Sequence, residues 1–428
     1  MSNYCLDRQR KRFTVVALLV LAAALVWFFS PGLPVLWGPW ASAEERAAGK
    51  ALFEHEWQPN DPLAGGDGLG PVFNARSCAA CHFQGGIGGS GPNKRNVSTF
   101  EVHPTRADPN VRSGIIHAAA TDPAYRESPA LVRKLFPVVK GTTQVVEGCT
   151  VRIPDFDPLL TGSVNSTALF GAGWIDRISD KAIRHNLNKQ MLANTAREFQ
   201  LDFNTIGAGR PRVLPDGRIG KFGWKGQFAT LQEFVAAACA NELGLGNPLM
   251  EQARPLGKSD YPAVPPDLDH KQFTALVAFV DTLPRPVEVL PDDPAGREQA
   301  ARGKELFHSI GCAQCHTPDL GGVKGVYSDF LLHVLEPPGS SAVYNTVEPP
   351  VPLPPDHPRP EEWKTPPLWG VADSAPYFHD GGSPTLEAAI LRHKGDAASV
   401  TRAYQGLKKP DQQAVIAFLK TLRAPPPE

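Results

Sequence analysis

Cys78-Ala79-Ala80-Cys81-His82 and Cys312-Ala313-Gln314-Cys315-His316 are two copies of one pentad. Each follows a near-repeated stretch: Ala47-Ala48-Gly49-Lys50-Ala51-Leu52-Phe53 before the first, and Ala300-Ala301-Arg302-Gly303-Lys304-Glu305-Leu306-Phe307 before the second. The ends repeat as well. Phe273 to Pro286 and Ala414 to Pro425 both carry apolar residues at i, i+3, i+4 and i+7 and both stop at proline, so each reads as an amphipathic helix. A unit that starts twice, carries the same pentad twice and ends twice predicts two modules of one design.

The pentad's spacing has a chemical reason. Two thiols three residues apart reach the two vinyl groups of a haem and form thioethers, and the adjacent imidazole then faces the iron as proximal ligand. Zinc would prefer paired Cys-x-x-Cys and other histidine spacings, and a thioredoxin-like redox pair has no use for the histidine. The expectation is one covalent haem c on Cys78, Cys81 and His82 and a second on Cys312, Cys315 and His316.

Composition agrees with a soluble catalytic or electron-transfer body behind an export segment. The 428 residues hold 43 Lys plus Arg against 44 Asp plus Glu, so no one-signed surface supports nucleic-acid binding. The 43 prolines and 39 glycines argue for long irregular connections between helices. Arg8, Arg10, Lys11 and Arg12 precede the uncharged run Phe13 to Phe29, which reads as an inner-membrane anchor or signal segment. Ala41-Ser42-Ala43 has the form of a cleavage site. Either use places the rest in the periplasm, where c-type haem is attached.

The expected fold is therefore mainly α: a segment 1–43, a first cytochrome c-type haem module over 44–286, and a second over 291–428. A linker with Pro291 and Pro294 joins the modules. An insertion at roughly 100–215 fills the first, with helical character from Asp180 to Glu198 and a turn at Pro215-Asp216-Gly217. Eleven of the thirty-one residues from Pro337 to Pro367 are proline, which predicts a polyproline-like surface loop in the second.

Three runs carry a family resemblance: Asp67 to Ser77 before the first pentad, Trp363-Lys364-Thr365-Pro366-Pro367-Leu368-Trp369-Gly370, and Ala375-Pro376-Tyr377-Phe378-His379-Asp380-Gly381. They resemble the di-haem oxidoreductases related to the bacterial di-haem cytochrome c peroxidases, over most of 47–428. In that family a methionine fourteen residues past the Pro-Tyr-Phe-His histidine ligates the second haem; here fourteen past His379 is His393, and the second module contains no methionine. The resemblance thus implies His316 and His393 as axial ligands of the second haem. A bis-imidazole iron has a lower potential than a methionine-ligated one. Phe222-Gly223-Trp224-Lys225-Gly226-Gln227 resembles the segment between the haems, with Trp224 as electron relay. Asn241-Glu242-Leu243-Gly244 resembles the segment bearing the peroxidases' catalytic glutamate, here Glu242.

Two features depart from the family. Its glutamine partner of that glutamate aligns with Phe234, and the histidine that caps the first haem aligns with Ser98, leaving His103 and His117 as the nearest substitutes. The implied activity is reduction of hydrogen peroxide with electrons from a small c-type cytochrome. They would enter at the His316 haem and pass near Trp224 to the His82 haem, where Glu242 assists cleavage. The alternatives are a non-catalytic di-haem electron carrier and a haem oxidase acting on a protein or small molecule. The family also implies calcium held by backbone oxygens near Ser374 and Pro376. Cys149 and Cys239 remain as a candidate disulfide or, for Cys239, a buried core residue.

Overall fold

The computed structural model describes residues 40–146, 149–199, 206–335 and 351–426, with 32, 34, 35 and 38. The run Phe13 to Phe29 lies outside them, and none of the described helices is long and apolar enough to cross a membrane. Ser42 caps helix α1 (Ala43–Glu54): its hydroxyl accepts from the Glu45 amide, and the Glu45 carboxylate accepts from the Ser42 amide. The small-residue stretch read as a cleavage site is thus also the start of the first helix.

Helices α2 (Pro129–Leu135), α3 (Ala172–Asp176) and α4 (Asp180–Phe199) belong to the insertion. Next come α5 (Leu231–Glu242) and α6 (His270–Asp281), the latter opened by an Asp269–Gln272 capping box. Asp293 caps α7 (Pro294–Ser309), which has proline in its first turn, so the linker ends in a helix start. The chain finishes with α8 (Leu386–Arg392), α9 (Ala398–Gly406) and α10 (Lys409–Leu419).

The sequence repeat is a repeat of packing. Helix α1 crosses α6 at Gly49, where a Cβ would collide with the Ala275 carbonyl; α7 crosses α10 at Gly303, where it would collide with the Ala414 carbonyl. Glycine permits both close approaches because it has no side chain. At the end of each first helix a phenylalanine is driven into the core, Phe53 against Phe279 (centroids 5.2 Å) and Phe307 against Phe418 (5.3 Å). Each such burial stabilises the fold by roughly 1.5–3 kcal/mol.

The insertion differs from the mainly helical expectation. Its sheet has the order β3 (Arg112–Ile116), β2 (Val97–Val102), β7 (Leu159–Val164), all antiparallel. Two smaller pairs flank it, β1 (Val72–Phe73) with β4 (Ala119–Ala120) and β5 (Thr143–Val146) with β6 (Cys149–Arg152). Phe100 and Val102 alternate inward from β2, the period of two that a half-buried strand requires. A further correction falls in the proline-rich stretch. Residues 336–350 lie outside the described ones, but Glu362–Lys364 is a strand, β9, paired with β8 (Leu332–Val334). Cys239 is buried in α5 while Cys149 is exposed on β6, and both are free thiols, so the candidate disulfide is absent.

Candidate active site

The second pentad sits between α7 and the short strand β8. Here His316 Nδ1 bonds the Tyr327 carbonyl at 3.0 Å, and His393, at the C-cap of α8, bonds the Ala389 carbonyl through Nδ1 at 2.8 Å. Each such bond fixes the ring and leaves Nε2 as the atom that could bind a metal, the usual arrangement around one. The two ring centroids lie 6.4 Å apart with the planes 68° from parallel. A metal–nitrogen bond of about 2.0–2.1 Å puts the ring centroid about 3.2 Å from the ion, so two axial imidazoles on one iron stand about 6.4 Å apart. Burial, with His393 adding to it, lowers the pKa of His316 to about 4, which keeps the ring neutral; burial pushes the Cys312 thiol up to about 12. A mainly apolar cavity of about 280 Å³ opens beside these groups, lined by Cys312, Cys315, His316 and His393 and reaching Trp224 and Phe234 of the first half. Two thiols, two neighbouring imidazoles and an apolar hollow fit a haem.

The first pentad repeats half of this. His82 Nδ1 bonds the Gly89 carbonyl at 3.1 Å, and Phe53 lies 6.4 Å from the ring, as Phe307 lies 6.3 Å from His316. Burial pushes the Cys78 thiol up to about 12 and lowers the His82 pKa, with the Thr167 backbone also close to the ring. Among the described residues no second imidazole faces His82. His117 is committed elsewhere, bonding Glu127 through Nδ1 at 2.8 Å and the Asn241 carbonyl through Nε2 at 2.9 Å. His103 binds Glu101 at 3.1 Å beside the sheet.

Glu242 ends α5 in a buried position, and its carboxyl accepts from Asn74 Nδ2 at 2.7 Å. Burial raises its pKa against that hydrogen bond, so the carboxyl holds its proton to a higher pH than an exposed glutamate. Asn74 was missed from sequence because it is 168 positions away. The amide that Phe234 cannot supply comes from the residue four before Cys78; Phe234 instead stacks on Phe222 at 5.7 Å.

Aromatic rings connect the halves. Trp224 donates its indole N–H to the Asn165 carbonyl at 2.8 Å and lies edge-on to His379 at 6.4 Å. His379 stacks on Trp363 with centroids 3.4 Å apart and planes 5° from parallel. Phe378 continues the path, 6.4 Å from His379 and 5.1 Å from His393. Beside the second pentad, His333 Nδ1 lies 3.8 Å from Cys315 Sγ and its Nε2 bonds Asp329 at 2.9 Å. These three are the one group among the described residues whose His, Cys, Asp and Glu atoms lie close enough to share an ion. Where calcium is expected, the Ala375 carbonyl accepts from Gln84 and the Ser374 hydroxyl donates to the Gly370 carbonyl.

Residues 356–422 match the family model described as "Di-haem oxidoreductase, putative peroxidase". A cytochrome c551 peroxidase of Nitrosomonas europaea is 25% identical over 293 residues, 64% of this chain and 78% of that protein. Both matches point to one class of relative, the di-haem oxidoreductases of the peroxidase type. The chain is thus similar to di-haem oxidoreductases of the cytochrome c peroxidase type over 64% of its length, and its residues 356–422 carry the match to the family model.

Similar solved structures include a MauG-like protein associated with microbial copper homeostasis (14% identity, 91% of this chain and 94% of that one, TM-score 0.40). The diheme peroxidase BthA from Burkholderia thailandensis matches at 16% identity over 92% and 88%, with TM-score 0.39. A hydrazine synthase chain of Kuenenia stuttgartiensis matches at 20% identity over 45% of this chain, with TM-score 0.32; this chain spans 62% of its length.

Proposed function

We propose that this protein is a periplasmic peroxidase that reduces hydrogen peroxide to two waters, consuming two electrons and two protons. Haem c bound at the second pentad would accept electrons from a small c-type cytochrome, and haem c bound at the first would deliver them to peroxide. His316 and His393 hold and close the second site. His82 would hold the first, with no second imidazole opposite it among the described residues. The observation that carries the reading is this asymmetry among the described residues: paired imidazoles with centroids 6.4 Å apart on one side, a single imidazole on the other.

Glu242 acts as acid and base, taking a proton from the attacking peroxide oxygen and returning it to the departing one. Asn74 orients that carboxyl through the 2.7 Å bond. Trp224 lies on the ring path that leads to His393 and shortens the route for electrons. Export directed by residues 13–29 belongs to the same reading, since covalent haem is attached outside the cytoplasm.

Low-temperature EPR of the oxidised and half-reduced protein, with a peroxide titration, tests it. One low-spin bis-imidazole signal and one high-spin or labile signal, with reoxidation by peroxide, are expected. Two inert six-coordinate sites that peroxide leaves reduced would overturn it in favour of a pure carrier.

A further inference from the structure

Two lysines are buried on the wall of the cavity. Lys221 is satisfied: its ammonium donates to the Asp176 and Ile178 carbonyls. Lys364, at the end of β9 and 6% exposed, is not. Its Nζ has the Thr365 carbonyl at 3.5 Å, beyond the usual range for such a bond, and the Phe330 ring at 5.3 Å. It forms no ion pair among the described residues. The carboxylate that influences it, Asp329, is already occupied by His333 at 2.9 Å, Gln190 at 3.0 Å and the Leu331 amide at 3.0 Å. Burial lowers the lysine's pKa to about 8, the response of a cation lacking an anion.

The tryptophans show the same contrast. The Trp224 N–H reaches a carbonyl, whereas the buried indole nitrogens of Trp363 and Trp369, two residues that line the same cavity, have no hydrogen-bond partner among the described residues. Two indole donors without a partner among the described residues and an ammonium with only a 3.5 Å carbonyl contact thus line an apolar hollow. A buried polar donor is costly unless it is paired, and a buried ammonium more so. The missing partner must be anionic and carried by whatever fills the cavity. A haem has two carboxylates, its propionates, on an otherwise apolar macrocycle.

We propose that Lys364, with the indole N–H groups of Trp363 and Trp369, forms the propionate-binding site of the cavity's haem. This rests on the reading above that a haem occupies that cavity. Lys364 is then a positioning and potential-setting residue: its charge offsets a propionate and favours the reduced iron.

The test uses the full-length holoprotein. Lys364→Met removes the charge and keeps the bulk. At a fixed poise the ferrous-to-ferric ratio of the bis-imidazole haem should fall about tenfold, about 59 mV for a one-electron couple. Lys364→Arg should restore most of it, which a purely structural lysine would not require. Trp363→Phe, which keeps the ring against His379, should move the potential less and in the same direction, and it decides the matter if Lys364→Met does not accumulate. Unchanged potentials with both haems attached overturn the proposal alone. Absence of two covalent haems from the unmodified protein, read from its pyridine haemochrome, overturns the haem reading as well.

Discussion

The two pentads share a scaffold and differ in what stands opposite the imidazole. In both, a glycine lets one helix cross another, a phenylalanine packs on a second phenylalanine, and the histidine's Nδ1 is tied to a carbonyl. The second half then supplies His393 from α8, which Thr385 caps, whereas the first supplies Glu242 from the end of α5 with Asn74 beside it. The same frame thus builds one pair of imidazoles and one side carrying a carboxyl. Holding the imidazole is a local task that repeats; filling the other face is a long-range task in which the copies have diverged.

The sharpest way to break this comparison is at the carboxyl. Glu242→Gln should lower peroxide turnover by about 10²–10⁴-fold, with both haems attached and the second potential unchanged. Steady-state assays with a reduced cytochrome donor, run beside redox titration, check both halves of that statement. Asn74→Ala should lose a smaller part of the same turnover.

At the paired imidazoles, His393→Met should raise one haem's potential on the order of 0.1 V, within the ~0.8 V span that axial ligands command, and add a sulfur-to-iron charge-transfer band. A spectrum indistinguishable from the unmodified protein would remove His393 from the iron.

The shared scaffold is testable through its glycines. Gly49→Ala and Gly303→Ala should each destabilise by about 1–3 kcal/mol, because each Cβ meets a carbonyl across the helix crossing. Denaturant unfolding measures both, and a neutral result at either would show that the crossings are not equivalent.

The smallest effect concerns how the halves hold together. Glu101, on β2, accepts from His103 at 3.1 Å and from His357 of the second half at 3.0 Å. Burial opposes its ionisation, but the two imidazoles outweigh this and bring its pKa from 4.5 to about 2. A carboxyl depressed in this way contributes stability that is present above about pH 4.5 and lost as pH falls toward 2. Relative to the unmodified protein, Glu101→Gln should cost about 1–2 kcal/mol near neutral pH and nothing at pH 2. Unfolding free energies across an acid series read the difference.

What the chain shows locally and what it hides follow one physical division. The pentads, the two helix starts ending in Phe53 and Phe307, the two proline-stopped helices and the helix from Asp180 are written in nearest-neighbour periodicity and caps. All of them are legible in the sequence. The β2–β3–β7 sheet escaped it because the strands are short and β7 lies far along the chain from its partner. Asn74 as partner of Glu242, and Trp363 stacked on His379, escaped it because each joins residues whose spacing carries no period.

By itself the sequence determined the two pentads, from which haem attachment is expected, and the twofold design, since both depend on residues within one turn or one helix of each other. Only the tertiary structure decided that His393 lies 6.4 Å from His316, that His117 spends both ring nitrogens elsewhere, and that Lys364 lines the cavity with no ion pair among the described residues. Those outcomes depend on which distant segments share a buried space, and burial is settled by the packing of the whole chain.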